Sequence, residues 1–246
     1  MKHSSGNIDH REIQKFSKSA DDWWNTGGVF RGLHEMNPMR TTYITQRVPV
    51  AGKTILDVGC GGGILCEALA NKGGRVTGID MNDAALSIAR RHVKRSGLYI
   101  DYRRISAGML EKEGSRFDIV TCMEVLEHVP DPAALIMSCG KLLNPGGSLF
   151  ISTINRSPLS FLLVIAVSEY VLGLTEKNTH SYHKFIKPSE IKTWARQAGL
   201  PVDDISGIFY IPYIPVCIRT PIAAVNYIGH LSTGNRAIAG VAGEHT

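Results

Sequence analysis

The sequence predicts an α/β domain, with a doubly wound, mostly parallel sheet and helices on both faces. Short β-rich segments alternate with helical segments between positions 53 and 153, which is the pattern of strands joined by helical crossovers. Strands such as 149–151 are apolar throughout, which suits a sheet covered on both faces. A length of 246 residues fits one such domain with extensions.

The elements of this domain follow from the alternation. Strands are predicted at 54–58, 75–79, 100–104, 117–122 and 148–153, with helices at 64–71, 84–95 and 133–143. The turn sequence Asn144-Pro145-Gly146-Gly147 precedes the fifth strand. A later helix runs from Pro188 in its first turn to Gly199 just past its end, and β-rich pieces follow at 205–210 and 216–218.

A further helix is predicted before the domain. Four apolar residues share one helical stripe: Ile13, Phe16, Ala20 and Trp23. Asp9 and Glu12 have the spacing of a capping box, and Gly27-Gly28 ends the pattern. A loop containing Asn37-Pro38 is predicted to follow and to lead to Tyr43-Ile44.

Three segments result. Residues 1–50 are predicted to form a helical extension and cofactor lid. Residues 51–235 form the main domain, with an apolar insertion near 157–187, and residues 236–246 form a flexible tail because they are small and polar.

Composition narrows the class of protein. The formal charge of +5 is spread along the chain without a basic block, so nucleic acid is not an expected partner. Five cysteines form no CxxC pair and follow a polar N-terminus, which predicts reduced thiols and a cytoplasmic protein. No run of 18 uninterrupted apolar residues predicts a membrane span.

A glycine-rich turn after the first strand carries the strongest chemical signal. Glycines 59, 61 and 63 follow Asp57, and glycine allows both positive φ and close approach of a ligand to backbone N–H groups. Asp80 ends the next strand, where a carboxylate can accept both hydroxyls of a ribose. The pair predicts an adenosine-containing ligand; the alternative is a glycine turn without a ligand.

The spacing of the glycines separates two ligand classes. A dinucleotide fingerprint requires a third glycine where this chain has Ile64, which disfavours an NAD-dependent oxidoreductase. The order Asp57-x-Gly59-x-Gly61-x-Gly63 resembles the first motif of the class I S-adenosylmethionine-dependent methyltransferases.

A second cluster of candidate site residues lies at the end of the fourth strand. If the chain turns helically there, Glu124, Glu127 and His128 share one face. Two carboxylates and an imidazole can hold a divalent cation or accept a proton from a substrate hydroxyl. The alternative is a hydrogen-bonded loop in which His128 only fixes a carboxylate.

Several segments resemble one family, the ubiquinone biosynthesis O-methyltransferases. They are Trp23-Trp24, Phe30, Leu33-His34, Asn37-Pro38 and Arg40, then 57–67 (DVGCGGGILCE), 121–132 (TCMEVLEHVPDP), 150–156 (FISTINR) and 184–190 (KFIKPSE). The similarity runs from about residue 8 to residue 227, although 106–115 match poorly. The resemblance implies methyl transfer from S-adenosylmethionine to the phenolic hydroxyls of polyprenylated catechols in ubiquinone biosynthesis.

The resemblance also assigns residues. It implies cofactor contacts at four positions: Arg40, Gly59, Asp80 and Met123. Arg40 would clamp the methionyl carboxylate, and its alternative is a surface ion pair. His128 or Glu127 would act as the base. In eukaryotic members the positions of Glu124, Glu127 and His128 are interpreted as a magnesium site. A bound divalent cation such as Mg²⁺ therefore stays an alternative for this chain.

An isoprenoid tail implies contact with a bilayer. The apolar stretch 159–174, followed by Lys177, Lys184 and Lys187, is the candidate for a peripheral association with the inner face of the membrane. Its alternatives are a core helix or a lid. Two other functions also stay open: an O-methyltransferase for another small hydroxylated acceptor, and a non-catalytic cofactor-binding member of a quinone-biosynthesis assembly.

Overall fold

The computed structural model describes residues 7–162, 182–211 and 216–234. Its strands are β1 Thr54–Val58, β2 Arg75–Ile79, β3 Asp101–Arg103, β4 Phe117–Met123, β5 Leu143–Ile154, β6 Val202–Ile211, β7 Val216–Thr220 and β8 Asn226–Ser232. Its helices are α1 His10–Lys18, α2 Arg31–Thr45, α3 Ile64–Ala70, α4 Asp83–Ser96, α5 Ala107–Lys112, α6 Pro132–Lys141, the single turn α7 Pro158–Ser160, and α8 Pro188–Gln197.

The strands form one sheet in the order β3-β2-β1-β4-β5-β8-β6-β7. Neighbours among β1 to β5 pair in parallel, whereas β8 is antiparallel to both β5 and β6, and β7 is antiparallel to β6. The order reverses between β1 and β4, and ligands bind at such a switch point, beyond the carboxyl ends of the strands. The doubly wound, mostly parallel sheet is therefore confirmed.

Helices cover both faces of the sheet. Helices α5, α6 and α8 pack on one face, where they bury residues such as Leu110, Ile136 and Ile191. Helices α2, α3 and α4 pack on the other, with Ile44 and Leu86 among the buried residues. The strands between two apolar layers are buried on both sides, as their composition predicted.

The predicted loop around Asn37-Pro38 is wrong, because these residues lie inside α2. A proline in a helix interior removes one backbone hydrogen bond and disfavours the helix. Burial outweighs that cost here, since Met36, Tyr43 and Ile44 on the same helix enter the core. Local sequence alone does not show this tertiary packing.

The predicted N-terminal stripe is right in its first half only. Helix α1 ends at Lys18, and a separate 3-10 turn covers Ala20–Asp22. Ile13 and Trp23 therefore do not lie on one continuous helix. Asp9 caps α1 as predicted by accepting the N–H groups of Arg11 and Glu12. The Glu12 carboxylate does not return to the cap; it bonds to side chains from elsewhere in the chain.

Other differences concern elements that were not predicted. Helix α5 and strand β8 were missed, and β5 begins at Leu143 rather than at 148. The predicted turn at 144–147 is a bulge within β5, because Leu143 pairs with Phe117 whereas Ser148 pairs with Ile119. Most of the apolar stretch 159–174 and the tail 236–246 lie outside the described residues.

Two whole-chain expectations can be compared with the structure. All five cysteines are free thiols. Within the described chain, no helix has the length and apolar content needed to cross a bilayer.

Candidate active site

The loop between β1 and α3 requires glycine at the switch point. Gly59, Gly61 and Gly63 have φ values of 71°, 52° and 87°, in the left-handed region. A Cβ at Gly59 would lie 2.4 Å from Val125 Cγ2, and one at Gly61 would lie 2.3 Å from the Trp23 ring. Backbone conformation and close packing therefore both exclude larger residues, as the glycine spacing predicted.

Asp80 directly follows strand β2 and lies beside this loop. Its Oδ2 accepts the Gly61 N–H at 2.9 Å, and its Oδ1 accepts the Asn82 N–H at 2.7 Å. Burial raises the pKa of Asp80, and these backbone hydrogen bonds oppose the rise. Each carboxylate oxygen has further lone pairs, so both can still accept ribose hydroxyls.

One cavity of about 1020 Å³ opens from this edge of the sheet. All seven residues predicted for the site line it: Arg40, Gly59, Asp80, Met123, Glu124, Glu127 and His128. Its volume is at the upper end of the roughly 300–1,000 Å³ that small-molecule sites occupy, so there is space for two ligands. The structure brings the predicted residues together, and their individual roles stay predictions.

Arg40 forms a buried ion pair, not the surface pair considered from the sequence. Its guanidinium donates to the Glu124 carboxylate at 2.9 Å, and Ser152 Oγ donates to the same oxygen at 2.7 Å. Arg40 Nε is buried without a hydrogen-bond partner in the described chain. An unpaired donor of this kind is costly unless a ligand satisfies it, which suits a carboxylate-binding position.

Glu127 is a buried carboxyl group at the end of the same strand. It accepts a hydrogen bond from Thr153 Oγ1 at 2.8 Å. Burial, together with the negative charge of Glu124, raises the pKa of Glu127 to about 7. The group therefore exchanges its proton in the range where a general acid or base is most useful.

His128 is held by two residues of helix α1. Its Nδ1 lies 3.1 Å from Glu12 Oε2, and the Phe16 ring stands edge-on to the imidazole at 5.0 Å. Burial lowers the pKa of His128, but the bond to Glu12 and the charges of Glu127 and Glu124 outweigh burial, so the net shift is upward. Nε2 has no hydrogen-bond partner among the residues that the structure describes.

The expected helical face of the second cluster is wrong. Glu124 has a φ of 53°, and the 3-10 turn Leu126–His128 follows it, so the three side chains diverge. Glu124 faces Arg40, Glu127 faces Thr153 and His128 faces Glu12. No group of three or more metal-ligating side chains forms within ranges 7–162, 182–211 and 216–234, so these residues do not fit the predicted cation site.

Sequence reasoning missed the residues that surround this cluster. Glu12, Ser152 and Thr153 each bond to a predicted site residue from another part of the chain. Lys184 was predicted to be a membrane-facing cation, but it binds Glu12 at 2.9 Å and Asp9 at 3.3 Å. No pattern signals the partnership of Glu12 and His128, because they are 116 positions apart.

Apolar side chains surround the opening of the cavity. Four residues both line the cavity and are exposed to solvent: Val29, Leu159, Phe209 and Ile222. Because they satisfy both conditions, they lie at its rim, which we call the apolar rim. Phe161 and Leu162, which follow Leu159 along the chain, are also about half exposed.

The strand order, the glycine turn and the acidic end of β2 define a class I methyltransferase. The methyltransferase domain family matches residues 36–205. The chain is 52% identical over 207 residues to a ubiquinone biosynthesis O-methyltransferase of Pseudomonas paraeruginosa, covering 84% of this chain and 89% of the relative. A relative of the same name from Pseudomonas fluorescens is 48% identical over 223 residues, which cover 90% and 96% of the two chains. The chain therefore belongs to the ubiquinone biosynthesis O-methyltransferases.

Solved structures support the same fold. The magnesium protoporphyrin IX methyltransferase of Synechocystis PCC 6803, with bound SAH, aligns with a TM-score of 0.68 at 17% identity and covers 91% of this chain and 99% of its own. A methyltransferase of Thermotoga maritima aligns with a TM-score of 0.61 at 15% identity, covering 91% and 98%. At these identities the likeness concerns the fold alone.

Proposed function

We propose that the chain transfers the methyl group of S-adenosylmethionine to a phenolic hydroxyl of a polyprenylated catechol. One observation carries the proposal: the same cavity joins a glycine turn and a ribose-type carboxylate to an imidazole whose Nε2 has no hydrogen-bond partner in the described part of the chain. The first two features suit the donor, and the third suits an acidic hydroxyl.

The cofactor half of the cavity offers a complementary group for each part of the donor. Asp80 can accept the ribose hydroxyls, and the Arg40 Nε donor can bind a carboxylate. Met123 provides an apolar, adaptable surface at the end of β4. When bound, S-adenosylmethionine supplies the methyl group on a sulfonium sulfur.

His128 acts as the base in this proposal. A phenol ionises near pH 10, so its oxygen becomes a good nucleophile at neutral pH only when a base removes the proton. Neutral His128 can take that proton on Nε2. Glu127 is an alternative base, but it is buried, and one of its oxygens already accepts from Thr153.

The apolar part of the cavity lining also favours the reaction. Transfer to a phenolate neutralises opposite charges, so an apolar lining favours it more than bulk water does. Leu65, Val125 and Leu135 contribute to that lining. Two ligands held in register avoid most of the entropic cost of their encounter.

The direct experiment is a methyl-transfer assay with S-adenosylmethionine and a short-tailed demethylubiquinol. We expect His128→Ala to lower kcat about 100-fold or more, the range a positioned base contributes. Its rate should recover as pH rises toward 10, where the phenol ionises unaided. His10→Ala is the matched control, because His10 is an exposed histidine outside the cavity lining.

Other results would contradict parts of this proposal. A wild-type kcat in His128→Ala would exclude His128 as the base. A wild-type kcat in Glu127→Gln would exclude Glu127 as the base. A second arm of the assay contains a chelator. Loss of activity that Mg²⁺ restores would show a cation requirement that the described side chains do not explain.

We also propose that the apolar rim meets the membrane surface. A polyprenyl tail is too long for the cavity and must leave through its opening, where exposed apolar side chains cluster. Burying one large apolar side chain in a bilayer is worth about 1.5–3 kcal/mol. The apolar rim can therefore hold the opening against the lipid.

Flotation with vesicles of phosphatidylethanolamine and phosphatidylglycerol tests this surface. Leu159→Glu plus Ile222→Glu, both in the apolar rim, should reduce bound protein about tenfold or more, because two apolar side chains leave the lipid. Met109→Glu is the control, since Met109 is also exposed but lies outside the cavity lining. Equal flotation of the folded double variant and the control would contradict the proposal.

A further inference from the structure

Helix α1 reaches into the active site through two residues one turn apart. Glu12 Oε2 lies 3.1 Å from His128 Nδ1, and Phe16 contacts the same imidazole edge-on at 5.0 Å. Positions i and i+4 share a helix face, so one face of α1 presents both contacts. Both residues line the cavity, which makes α1 part of its wall.

Glu12 is itself held in place by a lysine. Lys184, in the 3-10 turn Tyr182–Lys184, binds Glu12 Oε1 at 2.9 Å and Asp9 at 3.3 Å. The bond to His128, with help from Lys184, lowers the pKa of Glu12 to about 2. Glu12 is therefore a carboxylate throughout the working pH range, with one oxygen on Lys184 and the other on His128.

This ionisation fixes which nitrogen of His128 carries the proton. A carboxylate only accepts hydrogen bonds, so His128 Nδ1 must be the donor. The neutral imidazole then has its lone pair on Nε2, the nitrogen without a described partner. A base needs its lone pair there to receive a substrate proton.

We propose that Glu12 is a positioning residue for the His128 base, so that α1 completes the reaction centre when it packs over the cavity. This inference rests on the proposed function. The phenolic O–H bond breaks as its proton moves to His128 Nε2. The phenolate oxygen then bonds to the methyl carbon while the bond between that carbon and the sulfonium sulfur breaks, which leaves S-adenosylhomocysteine, and the imidazolium later releases the proton to water. Glu12 stays ionised and stabilises the imidazolium, as the orienting carboxylate of a Ser-His-Asp triad does.

Burial lowers the pKa of His128, and the charges of three acidic groups outweigh burial and raise it. Glu12 faces the imidazole from α1, Glu127 is its neighbour in the 3-10 turn, and Glu124 lies at the end of β4. Lys184 opposes them through its contact with Glu12. Removing Glu12 therefore lowers the affinity of His128 for its proton but leaves part of the acidic field in place.

The test uses Glu12→Gln, which preserves shape and removes charge. We expect the acid limb of the kcat/KM profile to shift to lower pH by about one unit. This is the lower end of the pKa change of about 1–3 units that a close opposite charge causes. We expect kcat at its plateau to fall about tenfold or more, because the tautomer is no longer imposed. Affinity for S-adenosylhomocysteine, measured by calorimetry, should stay within about twofold, since ribose and carboxylate contacts lie elsewhere.

Glu111→Gln provides the matched control. Glu111 pairs with Lys141 at 2.8 Å in the same kind of ion pair, but outside the cavity lining. Kinetics and pH profile should match the wild type. A wild-type pH profile and kcat in Glu12→Gln would overturn the inference, as would a loss confined to cofactor affinity.

A second measurement separates this inference from the proposed function. NMR titration of the His128 ring follows its pKa without turnover, and Glu12→Gln should lower that pKa. An unshifted titration overturns the role of Glu12 even if the enzyme is active. Absence of methyl transfer by the wild-type protein overturns the proposed function, whatever the titration shows.

Discussion

The two halves of the cavity are built by different means. At the ribose end of the cofactor side, backbone groups determine the geometry: the Gly61 and Asn82 N–H groups fix Asp80, and positive φ angles shape the glycine turn. On the reaction side, side chains dominate, and they come from distant segments such as α1, β5 and the turn Tyr182–Lys184.

The difference has a physical consequence. The glycine turn tolerates few substitutions, because both its positive φ angles and the close packing of Val125 and Trp23 exclude a Cβ. A network of side chains depends on the packing of whole elements, and its charge changes with pH because Glu127 and His128 have raised pKa values. The predictions below test this contrast, beginning with the largest expected effect.

Gly59→Ala should damage the cofactor side most. The new methyl group collides with Val125 and forces a non-glycine residue to a φ of 71°. We expect a loss of unfolding free energy of about 1–3 kcal/mol, together with loss of S-adenosylhomocysteine binding. Thermal melting and calorimetry measure both.

Gly97→Ala is the control for this substitution. Gly97 has a similar φ of 69°, but a Cβ there meets nothing within 4 Å. It should lose stability from the backbone strain and keep its cofactor affinity. Intact binding in Gly59→Ala would show that the close approach at this glycine is not needed.

Asp80→Asn should have the next largest effect. The amide keeps the shape but replaces one acceptor with a donor that faces a backbone N–H. Loss of charged hydrogen bonds worth about 1.5–3 kcal/mol should weaken S-adenosylhomocysteine binding roughly 10- to 100-fold. Asp83→Asn, at an exposed position outside the cavity lining, should bind normally. Similar affinities for the two variants would exclude Asp80 from the ribose site.

Glu127→Gln should have the smallest effect, on stability and its pH dependence. The carboxyl of Glu127 ionises near pH 7 in the folded protein but at lower pH when unfolded, so the folded state binds more protons in between. Wild-type stability therefore falls as pH rises through this window, and Glu127→Gln removes that fall. The Tm difference between pH 5 and pH 8 should shrink by a few degrees, at about 2–4 °C per kcal/mol.

Glu111→Gln is again the control, because Lys141 lowers the pKa of Glu111 and its titration lies below this window. Its Tm difference between the two pH values should equal that of the wild type. An unchanged difference in Glu127→Gln would contradict the raised pKa.

The sequence predicted what local chemistry determines. Strands β1 and β2 have the predicted bounds, and the glycine turn and Asp80 lie at the predicted edge of the sheet. Periodicity and glycine spacing contain this information because each reflects the conformation of neighbouring residues. The same signals placed Glu127 and His128 beside the cavity.

The rest depends on contacts that no short segment encodes. Helix α2 forms despite Pro38 because the core stabilises it, and Glu124, whose carboxylate bonds to Arg40 and Ser152, has a positive φ that the sequence pattern does not indicate. The partner of His128 is Glu12, which lies 116 positions earlier in the chain. Tertiary packing overrides local preference at these positions.

The central place of β8 affects how the protein is made. This strand, Asn226–Ser232, pairs with β5 on one side and with β6 on the other. During translation, the outer edge of β5 therefore stays unpaired until residue 232 has left the ribosome. An early stop codon before position 226 would leave two strand edges open to aggregation, so nascent chains of this enzyme should depend on chaperones until synthesis has passed that strand.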